Sequence, residues 1–142
     1  MRYLGLDVGR ATVGLALADD VLRTARALRT LRRAGDGPLF EELRRVAEEY
    51  EVTQAVVGLP LHMDGTEGDS ARLARGFARK LEEALRLPVA FQDERLSTFE
   101  AEGRLRAQGL SARDQRAVID AEAAAVILQG WLDAGAGEER HT

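Results

Sequence analysis

Apolar residues at the start of the chain fall in two short runs, residues 3–7 and 12–18, separated by the tight segment 8–11. Two such runs joined by a glycine-containing turn predict a β-hairpin. A third strand is expected within residues 25–31, where arginines interrupt the alternation and indicate a position at the edge of the sheet. Short apolar runs at residues 54–58 and 88–92 predict two further strands.

Apolar residues at helical spacing predict four helices, over residues 38–50, 70–87, 98–108 and 116–133. Pro38 suits the first turn of the first helix, and Asp69 or Ser70 is expected to cap the second. Ser97 and Glu100 match a capping box at the start of the third helix. The last helix is apolar nearly all the way round, which predicts that it is buried.

Strands that alternate with helices after an antiparallel start predict an α/β fold, with a mixed sheet and helices on both faces. Right-handed crossovers then make the first, fourth and fifth strands parallel neighbours. The 142 residues suffice for one domain, expected over residues 1–134. Residues 135–142 are mostly small or charged and are expected to form a flexible tail.

Composition limits the classes of function. Apolar residues make up 45% of the chain, but no run approaches the ~20 needed to cross a bilayer and no signal region precedes the first strand, so a soluble, cytoplasmic protein is expected. The absence of cysteine excludes disulfides and thiolate metal sites, which leaves carboxylates and histidines to bind a hard metal ion. A net charge of -4 argues against nonspecific coating of nucleic acid but allows a local binding site.

Asp7 stands where the first strand ends. In open α/β sheets, ligand sites usually lie at the carboxyl ends of the strands. The alternative is a turn-forming aspartate that caps the amides of residues 8–10. The position of Asp7 alone does not decide between a functional and a structural role.

Two more acids, Asp93 and Glu94, follow the fifth strand. Because successive strand residues point to opposite faces, one of these side chains is expected to reach the edge where Asp7 lies. The structural alternatives are an acid that caps the following helix and an acid that pairs with Arg95.

Asp120 lies in the first turns of the final helix, on the apolar stripe with Ala124 and Ile127. An unpaired charge there would be strongly unfavourable, so a positive partner is expected. That partner is a bound cation, or else Arg116 one turn earlier or the positive end of the helix. Glu122 projects from another side of the helix and is expected to be solvated or to assist from the periphery.

Asp7, Glu94 and Asp120, if held close together, would raise one another's pKa values unless cations bind between them. Mg²⁺ and Mn²⁺ suit such all-oxygen sites. Two ions about 3.5 to 4 Å apart activate a water and stabilise the leaving oxygen of a phosphodiester. These three residues therefore predict a metal-dependent nuclease.

Four segments resemble, in order and spacing, the YqgF or RuvX family of bacterial RNase H-like proteins: LGLDVGRATVGLALAD, VVGLPLHMDGTEG, FQDERLST and VIDAEAAAVIL. The resemblance extends from residue 2 to about residue 132. It implies an RNase H-like fold, with a five-stranded mixed sheet whose first three strands are antiparallel, and a relation to RuvC-type Holliday junction resolvases. It also implies a nuclease that processes the 5′ end of precursor 16S rRNA, or an enzyme that resolves junctions.

Carried over by motif, the family's catalytic and metal-binding acids fall on Asp7, Glu94 and Asp120. Asp93, the first acid of the DER motif, is a less certain metal ligand. The resemblance thus selects the three residues that physical reasoning also selects.

Three residues near these motifs are candidates for nucleic-acid binding. His62 stands where the family commonly has Asn, and it can contact phosphate or assist a proton transfer, although a loop histidine is more often solvated. Arg10 and Arg95, adjacent in sequence to two of the acids, can bind phosphate, and ion pairing with those acids is the alternative.

Other functions remain open from the sequence. A Holliday junction resolvase would need two active sites and hence a homodimer. The Asp-x-Gly hairpin also resembles the phosphate-binding start of the actin and sugar-kinase fold, but this chain has no room for the second domain that the fold requires. A non-catalytic ribosome-assembly module gains nothing from three acids facing phosphates. The choice between RNA and DNA depends on loop shape and 2′-hydroxyl contacts, which the sequence does not specify.

Overall fold

A computed structural model describes residues 1–95, 97–110 and 112–135, and the side chains of residues 97–99 and 112–117 are outside the description. The strands are β1 (Arg2–Val8), β2 (Thr12–Asp19), β3 (Arg26–Arg32), β4 (Gln54–Leu59) and β5 (Val89–Asp93). The helices are α1 (Asp36–Glu49), α2 (Asp69–Leu85), α3 (Ser97–Ala107) and α4 (Ala112–Asp133).

The strands form one five-stranded sheet in the order β3-β2-β1-β4-β5. Strands β1 and β2 form an antiparallel hairpin, and β3 pairs antiparallel with β2 at one edge of the sheet. Strand β4 pairs parallel with β1, and β5 pairs parallel with β4. The predicted mixed sheet, its antiparallel first three strands and its parallel remainder are confirmed.

One face of the sheet packs against α1 and α2. Alternate strand positions supply buried side chains to this layer, among them Leu4 and Leu6 of β1 and Leu15 of β2. Leu6 and Leu15 are direct partners in the hairpin register, so they meet the helices side by side. The ring of Phe77 in α2 lies on Phe40 of α1 with centroids 5.1 Å apart and ties the two helices together.

The opposite face of the sheet packs against α4, and α3 packs in turn on α4. Tyr3, Ala16 and Val56 contribute to this second buried layer. The ring of Trp131 in α4 meets Tyr3 edge-on, with centroids 5.3 Å apart. Helices therefore cover both faces, and the predicted burial of the last helix is confirmed.

Helix starts differ from the sequence-based predictions. Helix α2 begins at Asp69 after Gly68, which makes no side-chain capping hydrogen bond, so the predicted capping by Asp69 or Ser70 is wrong. Asp69 forms an ion pair with Arg72 at 3.2 Å. Because an N-cap side chain must precede the helix, an acid inside the first turn pairs with a neighbour one turn along.

Helices α1 and α4 begin earlier than the apolar patterns that predict them. Helix α1 starts at Asp36, after Gly35 with a φ of 107°, and α4 starts at Ala112. Polar first turns carry no periodic signal, which is why the pattern places these starts too late. The predicted capping box depends on the Ser97 side chain, which is outside the description, and so are residues 136–142 of the tail predicted over residues 135–142.

Helix length and hydropathy bear on membrane insertion. Across the described ranges, no helix has both the length and the apolar character required to cross a membrane.

Candidate active site

Asp7 and Glu94 are delivered to the same edge of the sheet by parallel strands. Asp7 is the penultimate residue of β1, and Glu94 follows β5 directly. The backbone N–H of Glu94 donates to the carbonyl oxygen of Leu59 at 3.2 Å, which continues the β4–β5 pairing past the end of β5. Parallel pairing therefore places both carboxyl groups at the same edge of the sheet, where β1 and β5 have their carboxyl ends.

The carboxyl groups of Asp7 and Glu94 share a side-chain hydrogen bond. Burial, the negative charge of Asp7 and this hydrogen bond raise the pKa of Glu94 to about 8. Burial also raises the pKa of Asp7, the hydrogen bond with Glu94 opposes that rise, and the charge of Asp120 adds to it. Both pKa values are raised, so this pair resists carrying two negative charges at once.

Close packing of α4 on the sheet brings Asp120 near this pair. A Cβ at Gly14 of β2 would overlap the backbone carbonyl of Asp120, so only glycine permits this approach. Gly14 is the hairpin partner of Asp7, which explains why Asp120 reaches the same end of the sheet. The negative charge of Asp120 raises the pKa of Asp7.

The carboxylate of Asp120 accepts a hydrogen bond from the Thr12 hydroxyl at 2.5 Å. This length is typical of a charge-assisted O–H···O⁻ bond. The sequence alternatives for its partner were a cation, Arg116 or the helix terminus, and Thr12 was missed. The hairpin prediction contained the signal, because the first residue of β2 must lie near the end of β1.

The chemistry of these donors suits a hard divalent cation. Carboxylate oxygens are the preferred protein ligands of Mg²⁺ and Mn²⁺, and a pair that resists carrying two negative charges can carry them when a cation binds. Among the described residues, no three His, Cys, Asp or Glu side chains are close enough together to hold a metal ion jointly. The joint role of Asp7, Glu94 and Asp120 as metal ligands therefore stays a prediction.

Gly58 of β4 leaves room for the side chain of Glu94. A Cβ at Gly58 would lie 3.1 Å from Cδ of Glu94 and 2.6 Å from Cδ1 of Ile127 in α4. The Glu94 side chain therefore lies over a strand residue that has no side chain to displace it. Sequence reasoning missed this position.

Asp93 is not brought to the Asp7–Glu94 pair. Its carboxylate binds Arg95, with an ion pair of 2.6 Å and hydrogen bonds from the backbone N–H and Nε of Arg95 at 2.9 and 2.8 Å. The guanidinium group lowers the pKa of Asp93. Asp93 therefore pairs with Arg95, which is the structural alternative that the sequence offered for these acids.

Arg95 also connects β5 to the loop that follows β4. It donates to the carbonyl oxygen of Met63 at 2.9 Å. Within the same loop, the N–H and hydroxyl of Thr66 donate to Asp64 at 2.9 and 2.7 Å, and these bonds lower the pKa of Asp64. The donors of Arg95 already bind Asp93 and the carbonyl oxygen of Met63. A phosphate-binding role for Arg95 stays a prediction.

His62 and Arg10 lie at the surface near the acids. The ring of His62 is exposed and packs against Gly68 at the start of α2, where a Cβ would lie 2.5 Å from its Nε2. Arg10 is exposed on the β1–β2 turn, and within the described part of the chain it has no ion-pair partner. Contact of either side chain with nucleic acid stays a prediction.

Glu122 corrects one sequence-based expectation. Its side chain is 14% exposed and pairs with Arg104 of α3 at 3.3 Å, so the expectation of a solvated residue is wrong. The apolar pattern of α4 did not reveal that α3 covers this side of the helix. Glu122 therefore links α3 to α4.

Comparison with protein families identifies related chains over nearly the whole length. The family model described as "RuvX: Holliday junction resolvase" matches residues 1–134. A protein of Anaeromyxobacter dehalogenans strain 2CP-C named "Putative pre-16S rRNA nuclease" is 67% identical over 133 residues, which cover 94% of this chain and 97% of that protein. A Geobacillus thermodenitrificans protein of the same name is 47% identical over 137 residues, with 94% and 98% covered.

Solved structures of lower sequence similarity share the fold. RuvC of Thermus thermophilus in complex with a Holliday junction substrate aligns with a TM-score of 0.62 and 18% identity, and the alignment covers 96% of each chain. A second T. thermophilus RuvC structure aligns with a TM-score of 0.54 and 17% identity. The predicted relation to the RuvC-type fold is confirmed.

Proposed function

Because the chain belongs to the RuvX family, we propose that it is a divalent-metal-dependent nuclease that processes the 5′ end of precursor 16S rRNA. The observation that carries this proposal is the partly buried Asp7–Glu94 pair at the carboxyl ends of β1 and β5, with the pKa of Glu94 raised to about 8. A pair of this kind at the carboxyl ends of parallel strands lies where α/β proteins bind their ligands. The proposal places the protein in the cytoplasm.

Asp7 and Glu94 would hold the cation, with Asp120 as the third carboxylate and Asp93 as a less certain one. When bound, Mg²⁺ or Mn²⁺, as one ion or two, supplies an activated water and charge stabilisation for the leaving oxygen of the phosphodiester. Glu94 would have to be deprotonated to serve as a ligand. Thr12 keeps the Asp120 carboxylate oriented toward this end of the sheet.

Arg10 would bind a phosphate oxygen of the substrate. Its guanidinium is exposed, and no described residue forms an ion pair with it, so it can approach a phosphate without first leaving an intramolecular partner. His62 and Arg95 are weaker candidates, since the loop and the β5 terminus already use their side chains.

Holliday junction resolution is the second candidate function, because the matching family model is described as a Holliday junction resolvase. Symmetric cleavage of a four-way junction requires two active sites. This candidate therefore requires a homodimer, whereas cleavage of a single RNA strand does not.

The direct test is cleavage of a 5′-extended precursor 16S rRNA fragment by the purified protein in Mg²⁺, Mn²⁺ or EDTA. We expect cleavage only with divalent metal and a loss of at least about 100-fold in Asp7→Asn. Asp133→Asn is the matched control. Asp133 is the last residue of α4, away from Asp120, and the variant should cleave normally.

The same assay separates the competing functions. Equal cleavage by Asp7→Asn and the native protein would reject the site. Cleavage of a four-way junction by a dimer, with the RNA left intact, would favour the resolvase. Binding of RNA that survives EDTA, without cleavage in any metal, would favour a non-catalytic assembly module.

A further inference from the structure

A groove of about 400 Å³ starts at Glu94 and passes over the β1–β2 turn to the first turns of α2. It lies on the α1 and α2 side of the sheet, whereas Asp120 approaches from the α4 side. Glu94 therefore stands at one end of a groove whose other lining residues, apart from Arg10, the proposed chemistry does not use.

Four cationic side chains line this groove: Arg10, Arg33, Arg72 and Lys80. Two carboxyl groups, those of Asp36 and Glu94, line the groove with them. Asp36 is shared by Lys80 at 3.0 Å and Arg33 at 3.6 Å, and Arg72 pairs with Asp69 at 3.2 Å, whereas Arg10 has no ion-pair partner among the described residues. The chain as a whole carries a net charge of -4. Positive charge is thus concentrated beside the acids of an otherwise acidic protein, which favours a polyanion in this groove.

Arg33 is held in place before any ligand binds. Its backbone N–H donates to the carbonyl oxygen of Ala11 at 2.9 Å and its Nη1 donates to that of Gly9 at 2.8 Å. Its guanidinium also lies 5.4 Å from the centroid of the Phe77 ring. A positioned guanidinium loses little entropy when it binds a phosphate.

Gly76 forms part of the groove although the fold does not require a glycine there. It lies inside α2, and a Cβ at this position would have no atom of the described residues within 4 Å beyond its own helix backbone and chain neighbours. A glycine in a helix interior lowers helix stability relative to alanine. Packing therefore does not account for Gly76, whereas an open path for a ligand does.

Leu73, one turn before Gly76 on the same side of α2, is 63% exposed and also lines the groove. An exposed apolar side chain between arginines offers a surface for the face of a nucleobase while the cations bind the backbone. The volume of the groove falls in the range of small-ligand pockets, which is enough for a nucleotide-sized group.

We propose that this groove binds the single-stranded RNA segment adjacent to the scissile phosphate, with backbone phosphates on Arg10, Arg33 and Lys80 and a base against Leu73 and Gly76. This inference rests on the proposed nuclease function, which it extends from the reacting phosphate to the neighbouring nucleotides. It assigns the groove to RNA rather than to a protein partner or a second copy of the chain.

The test is fluorescence anisotropy with a labelled single-stranded RNA of about 10 nucleotides, in EDTA so that no cleavage occurs. We expect Gly76→Met to weaken RNA binding about tenfold while it raises the melting temperature of the protein. Gly103→Met is the matched control, because Gly103 is also inside a helix, has only the Arg106 side chain within 4 Å among the described residues, and lies outside the groove.

A second pair of variants tests the charge of the groove. Lys80→Ser should weaken RNA binding and reduce the salt-dependence slope by about 1, whereas Arg79→Ser, the adjacent residue outside the groove, should change neither. A hairpin RNA duplex should bind more weakly than the single strand and should not respond to Gly76→Met.

Unchanged affinity in Gly76→Met, or equal losses in Gly76→Met and Gly103→Met, would overturn the groove assignment. A larger loss of affinity for duplex RNA than for single-stranded RNA in Gly76→Met would overturn it as well. RNA binding that depends on Gly76 in a protein that cleaves nothing would support the groove and reject the proposed nuclease function. RNA cleavage together with RNA binding that does not depend on Gly76 would support the nuclease function and reject the groove assignment.

Discussion

Asp7 and Glu94 show at the residue scale how position changes the chemistry of an ordinary carboxyl group. Burial is the largest cause of the raised pKa of both, and for Glu94 the charge of Asp7 comes next. Asp93, one residue before Glu94, has its pKa lowered because Arg95 binds it. Adjacent acids in one motif therefore differ in protonation because one faces the partner acid and the other faces a guanidinium group.

The pKa of Glu94 predicts an unusual pH dependence of stability. Folding raises this pKa from 4.5 to about 8, so between these values the native state binds more protons than the unfolded state. The free energy of unfolding should therefore fall as pH rises from about 5 to about 8, with Glu94 contributing roughly 1 to 3 kcal/mol of that fall.

Chemical denaturation in EDTA across this pH range measures the effect. Glu94→Gln keeps the shape of the side chain and removes the charge, so its curve should be flatter and it should exceed the native protein in stability at pH 8. Glu67→Gln, at an exposed acid whose pKa is lowered by Arg75, is the control and should not flatten the curve. Parallel curves for native protein and Glu94→Gln would contradict the prediction.

At the scale of single elements, the position of α4 determines where Asp120 lies. The helix carries small residues such as Ala121 and Ala124 toward the sheet and meets strand backbone at Gly14. The sequence predicted a buried helix from its apolar character, but the depth of its approach depends on a glycine in a different element. Asp120 reaches the acid pair because α4 packs directly on β2.

Gly14→Ala should separate α4 from the sheet. The added methyl group, fixed to the strand backbone, would overlap the backbone carbonyl of Asp120, so the overlap can be relieved only by shifting the strand or the helix. We expect a loss of about 3 kcal/mol in the free energy of unfolding, together with reduced nuclease activity.

Gly37→Ala is the control for that change, since the described residues leave open space around a Cβ at Gly37. Its stability should stay within about 1 kcal/mol of the native value. Equal stability of Gly14→Ala and Gly37→Ala, measured by urea denaturation, would show that α4 does not depend on Gly14.

At the scale of the whole molecule, the sheet order brings distant segments to one edge. Strand β1 lies at the centre with β2 and β4 on its two sides, so Asp7 lies against Glu94, and the charge of Asp120, which Thr12 binds, reaches Asp7. A binding site assembled from the hairpin, β5 and α4 requires all three to be folded. Ligand binding should therefore stabilise the whole protein rather than one segment.

Addition of Mn²⁺ should raise the melting temperature of the protein, and more at pH 8 than at pH 5, because the ligands must lose their protons to bind metal. Differential scanning fluorimetry in matched buffers measures both shifts. Asp7→Asn should lose the response, whereas Asp133→Asn should keep it. Equal shifts in Asp7→Asn and native protein would place the bound metal elsewhere.

The sequence by itself determined the elements, the parallel and antiparallel pairing and the three candidate acids. Periodic apolar residues report which face of a strand or helix is buried, and connection handedness then limits the order of strands. Asp7, Glu94 and Asp120 were identifiable because an acid at the end of a buried strand or inside an apolar helix conflicts with its surroundings. Helix starts were less accurate, since polar first turns lack this pattern.

Only the tertiary structure decided which polar groups meet. The Thr12 bond to Asp120, the contact of Asp7 with Glu94, the Asp93–Arg95 pair and the Glu122–Arg104 pair each join residues whose distance depends on packing. Hydrogen bonds and ion pairs form over a few ångströms, whereas the apolar pattern specifies only which side of an element is buried. The placement of elements therefore selects the partners, and with them the protonation and charge of the candidate site.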